Sequence, residues 1–141
     1  MGTSNTFLEK EAKRLKFINW RGVIFKDELK NLKALDVECG ILGSKRSDQD
    51  EINHWTCWFK VYRNKYCFDS FGLVPAPELY KYLRSPIMYS TFQIQQFNED
   101  TCGEWCLWFL NSMNNVFKKN KEVSDDDYVD IILQVVNNKT Y

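Results

Sequence analysis

The chain is sparing with the residues that would mark several function classes. Its nineteen Lys and Arg are balanced by nineteen Asp and Glu, so no overall positive charge argues for a dedicated nucleic-acid binder. No apolar run approaches the roughly 18 residues that cross a bilayer. The opening MGTSNTFLEKEAKRLKF lacks an apolar core followed by a cleavage site and does not read as a secretory signal. There is one histidine, His54, and the five cysteines (Cys39, Cys57, Cys67, Cys102 and Cys106) are odd in number and contain no CxxC pair. That set offers neither the regular spacing of a disulfide framework nor the pattern of a tetrahedral zinc site. The expectation is free thiols in a reducing compartment, with no secretion, no metal and no membrane partner.

Aromatic and apolar residues are plentiful by contrast. Apolar residues make up 44% of the chain and aromatic residues 16%, enough for a packed core and against a disordered chain. A length of 141 residues suits one compact domain, residues 1–141. Leu8, Ala12, Leu15 and Phe17 recur near helical spacing, with Asn5 or Thr6 as the cap. The helix gives way at Trp20–Arg21–Gly22. GVIF (22–25) and ECGILG (38–43) then read as strands either side of a mixed stretch with a short helical turn, and SKRSDQDE (44–51) reads as a loop.

From Ile52 to Tyr62 the residues Trp55, Cys57, Phe59 and Val61 alternate with His54, Thr56, Trp58, Lys60 and Tyr62, the period of a strand. Arg63–Asn64–Lys65 reads as a turn and Tyr66–Asp69 as the returning strand of a hairpin. PAPELYKYLRS predicts a helix opened by proline and ended by Pro86. Thr91–Gln95 predicts a third strand, followed by a polar loop to Asp100. Helices are expected from Cys102 to Lys118 and from Ser124, where Asp127 forms a capping pair. The fold class is α+β: a mostly antiparallel central sheet flanked by helices.

A thiol nucleophile needs its thiolate favoured by an imidazolium or a helix N-terminus, an imidazole held in one orientation, and donors for the oxyanion. Cys102 stands where a polar loop turns into an amphipathic helix, so its sulfur falls in a first turn rich in unpaired N–H groups. Gly103 would leave the backbone open to a substrate carbonyl. Taken alone, Cys102 also reads as a small buried residue, and Cys106, one turn on, as packing. Asp69 lies near the end of the strand paired with that of His54. A turn centred on residues 63–65 nevertheless sets residue 74 opposite His54, so a bulge or a shifted turn is needed to bring Asp69 to it. Gln95 could donate to an oxyanion or simply face water.

In chain order the candidates run HW (54–55), FDSFG (68–72), Gln95 and CGEWC (102–106). This pattern resembles the adenovirus-type cysteine endopeptidases, the adenain family, and their relatives in polintons, adintoviruses and virophages, in the same clan as the SUMO-specific proteases. The likeness is closest to polinton-like members. It rests on His54–Trp55, Asp69–Ser70–Phe71–Gly72, Pro77–Glu78–Leu79 with Tyr82–Leu83, Gln95 and Cys102–Gly103, and it spans about residues 22–112.

The resemblance implies a papain-like or adenain-like fold with a circularly permuted triad order. Cys102 would be nucleophile, His54 general base and then acid, Asp69 the orienting carboxylate and Gln95 an oxyanion donor, with Gln96 as competitor for that last role. It implies a viral-type endopeptidase that cuts structural precursors during virion maturation, with polypeptide substrates, nucleic acid nearby in the particle, a monomeric chain, and a location in the host nucleus or cytoplasm and in the virion. Many relatives cut after glycine, and Trp55 would narrow the channel accordingly. Adenovirus members use a disulfide-linked peptide and DNA as activators. No cysteine stands at the corresponding place upstream of the glutamine and the charge is zero, so the sequence shows no required cofactor and a peptide or DNA activator is implied by the resemblance alone. A deSUMOylating or deubiquitinating protease and a catalytically silent interaction domain are the alternatives. Two weaker motifs complete the reading, an N-myristoylation pattern at Gly2 and a sequon at Asn138–Lys139–Thr140.

Overall fold

The computed structural model describes residues 3–44, 54–95 and 100–138. Gln96, Gly2 and the sequon residues Lys139 and Thr140 lie outside them. Five strands form one sheet in chain order: β1 (Trp20–Phe25), β2 (Val37–Gly43), β3 (Trp55–Val61), β4 (Asn64–Phe68) and β5 (Met88–Tyr89). The two central pairings, β2 with β3 and β3 with β4, are antiparallel, as the alternating pattern anticipates. Both edge pairings are parallel, which makes the sheet mixed.

Helices α1 (Asn5–Leu15), α3 (Cys102–Asn120) and α4 (Asp125–Asn138) pack on one face. Their Leu8, Ala12, Phe109, Leu110, Met113 and Tyr128 meet Trp55, Cys57, Phe59 and Val61 of β3 in one apolar cluster. Phe68 of β4 stacks on Phe109 with ring centroids 4.9 Å apart. The other face carries α2 (Pro77–Leu83) and a 3₁₀ helix over Lys26–Asn31, whose Leu79, Leu83 and Leu29 cover Leu42, Trp58 and Cys67. The period-2 alternation of β3 therefore sorts side chains into two buried layers, not into a wet and a dry side. Among the described residues no helix is long and apolar enough to cross a membrane.

Local chemistry explains most boundaries. Ser4, not Asn5 or Thr6, caps α1 by accepting the Phe7 N–H at 3.1 Å. Lys16, in the left-handed conformation, closes the helix before Phe17. Pro77 opens α2, where its missing N–H costs nothing. Ser124 and Asp127 exchange hydrogen bonds of 2.9 and 3.1 Å at the start of α4. Thr91–Gln95 is not a strand. The Ile94 and Gln95 N–H groups turn instead to the Ser70 carbonyl, at 2.8 and 2.9 Å, and the short β5 takes the sheet edge.

The hairpin turn differs in a way that matters. Val61 pairs with Asn64, leaving Tyr62 and Arg63 as a two-residue loop in which Tyr62 takes φ 57. Asn64 and Lys65 belong to β4, and the register shifts from the one expected.

Under α2, the carboxylate of Glu38 is fully buried and takes hydrogen bonds from Trp58 Nε1, the Tyr82 hydroxyl, the Leu35 N–H and Arg21. Four donors satisfy it, as a buried charge requires. The Trp58 indole lies so close over Gly40 that a Cβ there would sit 2.4 Å from the ring. Gly40→Ala should therefore destabilise the fold by about 1–3 kcal/mol through overpacking, read as a lower urea midpoint at unchanged slope.

Candidate functional site

Three of the four residues singled out in the sequence, His54, Asp69 and Cys102, stand at the ends of β3, β4 and α3, and Gln95 lies in the irregular segment after β5, bonded to Ser70. His54 immediately precedes β3. Its backbone is clamped by Ser44, which follows β2: the His54 N–H donates to Ser44 Oγ at 3.0 Å and the Ser44 N–H to the His54 carbonyl at 3.1 Å. Asp69 follows β4 and begins a tight turn closed by the Gly72 N–H on the Asp69 carbonyl at 2.9 Å. Gly72 has φ +73, and a Cβ on it would meet the Thr91 carbonyl oxygen at 2.6 Å. Only glycine fits that position.

The turn delivers the Asp69 carboxylate to the imidazole. His54 Nε2 lies 2.6 Å from Asp69 Oδ1, and the same oxygen accepts the Phe71 N–H at 2.8 Å. The shifted register makes this possible, because it sets residue 71 rather than 74 across from His54. Phe71 lies flat on the imidazole, with centroids 4.0 Å apart and planes 4° from parallel. One face of the ring is thus packed, one nitrogen is tied to a carboxylate, and the rotation of the ring is fixed.

Cys102 is the first residue of α3. It is 5% exposed, and its Sγ accepts the Trp55 N–H at 3.3 Å. One turn on, the Cys106 thiol donates to the Trp55 carbonyl at 3.4 Å. The backbone N–H and carbonyl of one residue of β3, Trp55, therefore hold both sulfurs, and Cys106 has the packing role expected of it. Burial pushes the Cys39, Cys57, Cys67 and Cys106 thiols up, away from the thiolate form.

Electrostatics at His54 follow from three neighbours. Burial opposes the imidazolium, but the hydrogen bond to Asp69, the interaction with Cys102 and the charges of both outweigh it and push its pKa up to about 9. Nδ1 is buried and makes no hydrogen bond of normal geometry among the described residues. An unpartnered buried nitrogen is rare, and here it belongs to the ring that Cys102 already influences.

Gln95 is fully buried, not water-facing. Its Oε1 accepts the Ser70 hydroxyl at 2.6 Å while its backbone N–H donates to the Ser70 carbonyl. Ser70 thus fixes which end of the carboxamide is the acceptor, leaving the NH₂ as the donor end. The sequence places Ser70 and Phe71 in the motif without a role for either, and nothing in it singles out Ser44. The available signal was the direct adjacency of Ser70 and Phe71 to Asp69.

Two expectations are corrected. Gly103 is not open to solvent: it is buried, and Thr3 packs against it so that a Cβ would fall 2.9 Å from the Thr3 Cβ. Thr3 also hydrogen-bonds Glu104 and accepts the Trp55 indole N–H at 2.9 Å. Trp55 is a core residue, 4% exposed and packed near Phe25, rather than the wall of a channel. Beside the pair, a mostly apolar cavity of about 170 Å³ is lined by His54, Asp69, Leu42, Leu73, Val74 and Leu79. No cluster of three or more His, Cys, Asp or Glu side chains that could hold a metal occurs among the described residues.

No family model matches the chain, and no curated protein does. Among solved structures it is similar to the crystal structure of the ASFV pS273R protease, with a TM-score of 0.57 at 10% identity. The match covers 90% of this chain and 64% of that one, so the chain spans somewhat less than two thirds of that protease. The likeness establishes a shared fold, an α+β sheet flanked by helices.

His54 holds its proton more tightly folded than unfolded. Its contribution to stability is complete below about pH 6.5, the unfolded value, and is lost as pH rises through about 9. An NMR titration of the single imidazole should show a midpoint near 9, and Asp69→Asn should lower it. Ser70→Ala, which removes a buried donor from Gln95, should cost about 1–3 kcal/mol in urea unfolding.

Proposed function

We propose that the chain is a cysteine endopeptidase of the viral, adenain-like kind, with Cys102 as nucleophile and His54, Asp69 and Gln95 in support. The observation that carries this reading is the His54 Nε2–Asp69 Oδ1 pairing at 2.6 Å beside a thiol at a helix start. The fold shared with the ASFV pS273R protease adds support.

In this reading the Cys102 thiolate forms with its proton on His54, helped by the Trp55 N–H and by the amides of the first turn of α3. Sulfur attacks the scissile carbonyl carbon. The oxyanion is met by backbone N–H at the helix start and by the Gln95 carboxamide, which Ser70 orients. Collapse of the tetrahedral adduct breaks the C–N bond, His54 passes its proton to the leaving amine, and a thioester remains. Water, deprotonated by His54, then attacks the thioester and releases the acid and the thiol. Asp69 holds the ring through both transfers, and Phe71 limits its tilt. The chemistry invokes no metal or cofactor. The substrates would be viral precursor polypeptides cut during virion maturation in the host cell or particle.

Cys102→Ala and His54→Ala should each reduce cleavage of a peptide library, read by mass spectrometry, at least about a thousandfold. Alkylation of the native protein with iodoacetamide, mapped by peptide, should label Cys102 fastest and should slow in His54→Ala. Cleavage that survives in either variant, or equal labelling of all five thiols, would overturn the assignment.

A further inference from the structure

A second concave surface lies at the opposite end of the β3–β4 hairpin, on the α2 face of the sheet. It has a volume of about 890 Å³ and is formed by the 3₁₀ helix, the segment after it, α2 and the turn-proximal residues Lys60 and Lys65. That volume falls in the ~300–1,000 Å³ range of ligand clefts. A strand the length of β3 puts it roughly 20 Å from His54. Seven of the nineteen basic residues line it, including Lys30, Lys33, Lys65, Lys81 and Arg84, against the two carboxylates Asp27 and Glu78. In a chain of zero net charge this is a pronounced local concentration of one sign.

Two of the seven are anchored on backbone carbonyls, and no ion pair neutralises any of the seven among the described residues. Lys65 Nζ donates to the Arg84 carbonyl at 3.0 Å and Lys60 Nζ to the Leu35 carbonyl at 2.7 Å. The ion pairs formed among the described residues belong to Arg14, Arg21 and His54, and none involves the seven. Burial, then repulsion from Lys60 and Arg84, lowers the Lys65 pKa. The apolar part of the lining comes from Leu32, which is half-buried, with the almost fully buried Leu29 and Leu83 behind it.

We propose that this groove binds an acidic polypeptide segment, with its carboxylates against the lysines and an apolar side chain against Leu32. The lining favours a peptide over a nucleic acid. Single-stranded nucleic acid is held by exposed aromatic faces on which bases stack. The one aromatic residue lining the groove, Tyr82, has its hydroxyl bound to Glu38 and Arg21 and its ring edge-on to Trp58. The groove is apart from the thiol, so the inference stands or falls independently of the proteolytic assignment.

The test is fluorescence anisotropy with a labelled twelve-residue Glu/Asp peptide carrying one central Leu. The full chain should bind it saturably, more weakly as salt rises. The double variant Lys30→Glu, Lys81→Glu should lose about tenfold or more in affinity, with its melting curve and its Cys102 alkylation rate unchanged. Replacing the Leu by Gly in the peptide should also weaken binding. The proposal is overturned if the peptide fails to saturate below about 1 mM, if the double variant binds as well as the parent, or if an oligonucleotide or inorganic tripolyphosphate binds the groove more tightly than the peptide.

Discussion

The backbone of one residue, Trp55, is the constraint on which the site depends. Its N–H meets Cys102 Sγ and its carbonyl takes the Cys106 thiol, so the first turn of α3 is pinned to the start of β3. His54 is the neighbouring residue. Imidazole and thiol are therefore connected through a single residue of strand, and no loop intervenes whose motion could change their spacing. The apolar contact of α3 with β3, through Cys57, Phe59, Phe109 and Met113, is what holds the clamp shut. Core packing and site geometry are the same interaction seen from two sides.

Asp69 reaches the imidazole by a different route. It depends on backbone economy: a turn tight enough to need Gly72, closed against Thr91, with Phe71 and Ser70 aimed to opposite uses. Three consecutive residues orient the ring, pack its face and anchor the glutamine. Such dense use of a short run explains why these residues are informative together and ambiguous singly.

The parts of this arrangement that could be read in the sequence are those written in local periodicity. The alternation of β3, the amphipathic α3 and α4, the Ser124–Asp127 cap and the placement of Cys102 at a helix start all follow from spacing. Long-range pairing did not leave such a trace. The parallel edges contributed by β1 and β5 depend on which segments meet in space, and Thr91–Gln95 alternates like a strand yet spends its N–H groups on Ser70. The hairpin register departs from the expected one because its left-handed residue is Tyr62, without the Gly or Asn that normally announces such a loop. The cover of Thr3 over Gly103 joins residues a hundred positions apart, beyond any local pattern.

That two-residue loop acts as a caliper. Its two arms end in His54 and Asp69, and the opening between their tips is set by how many residues each arm contains. Lengthening one arm alone by a residue would turn every side chain on it to the other face of the sheet and part the tips. Lengthening both together would preserve the gap while carrying it outward. Insertions and deletions along these strands should therefore be accepted in evolution as matched pairs, even where neither altered position lies near the sulfur.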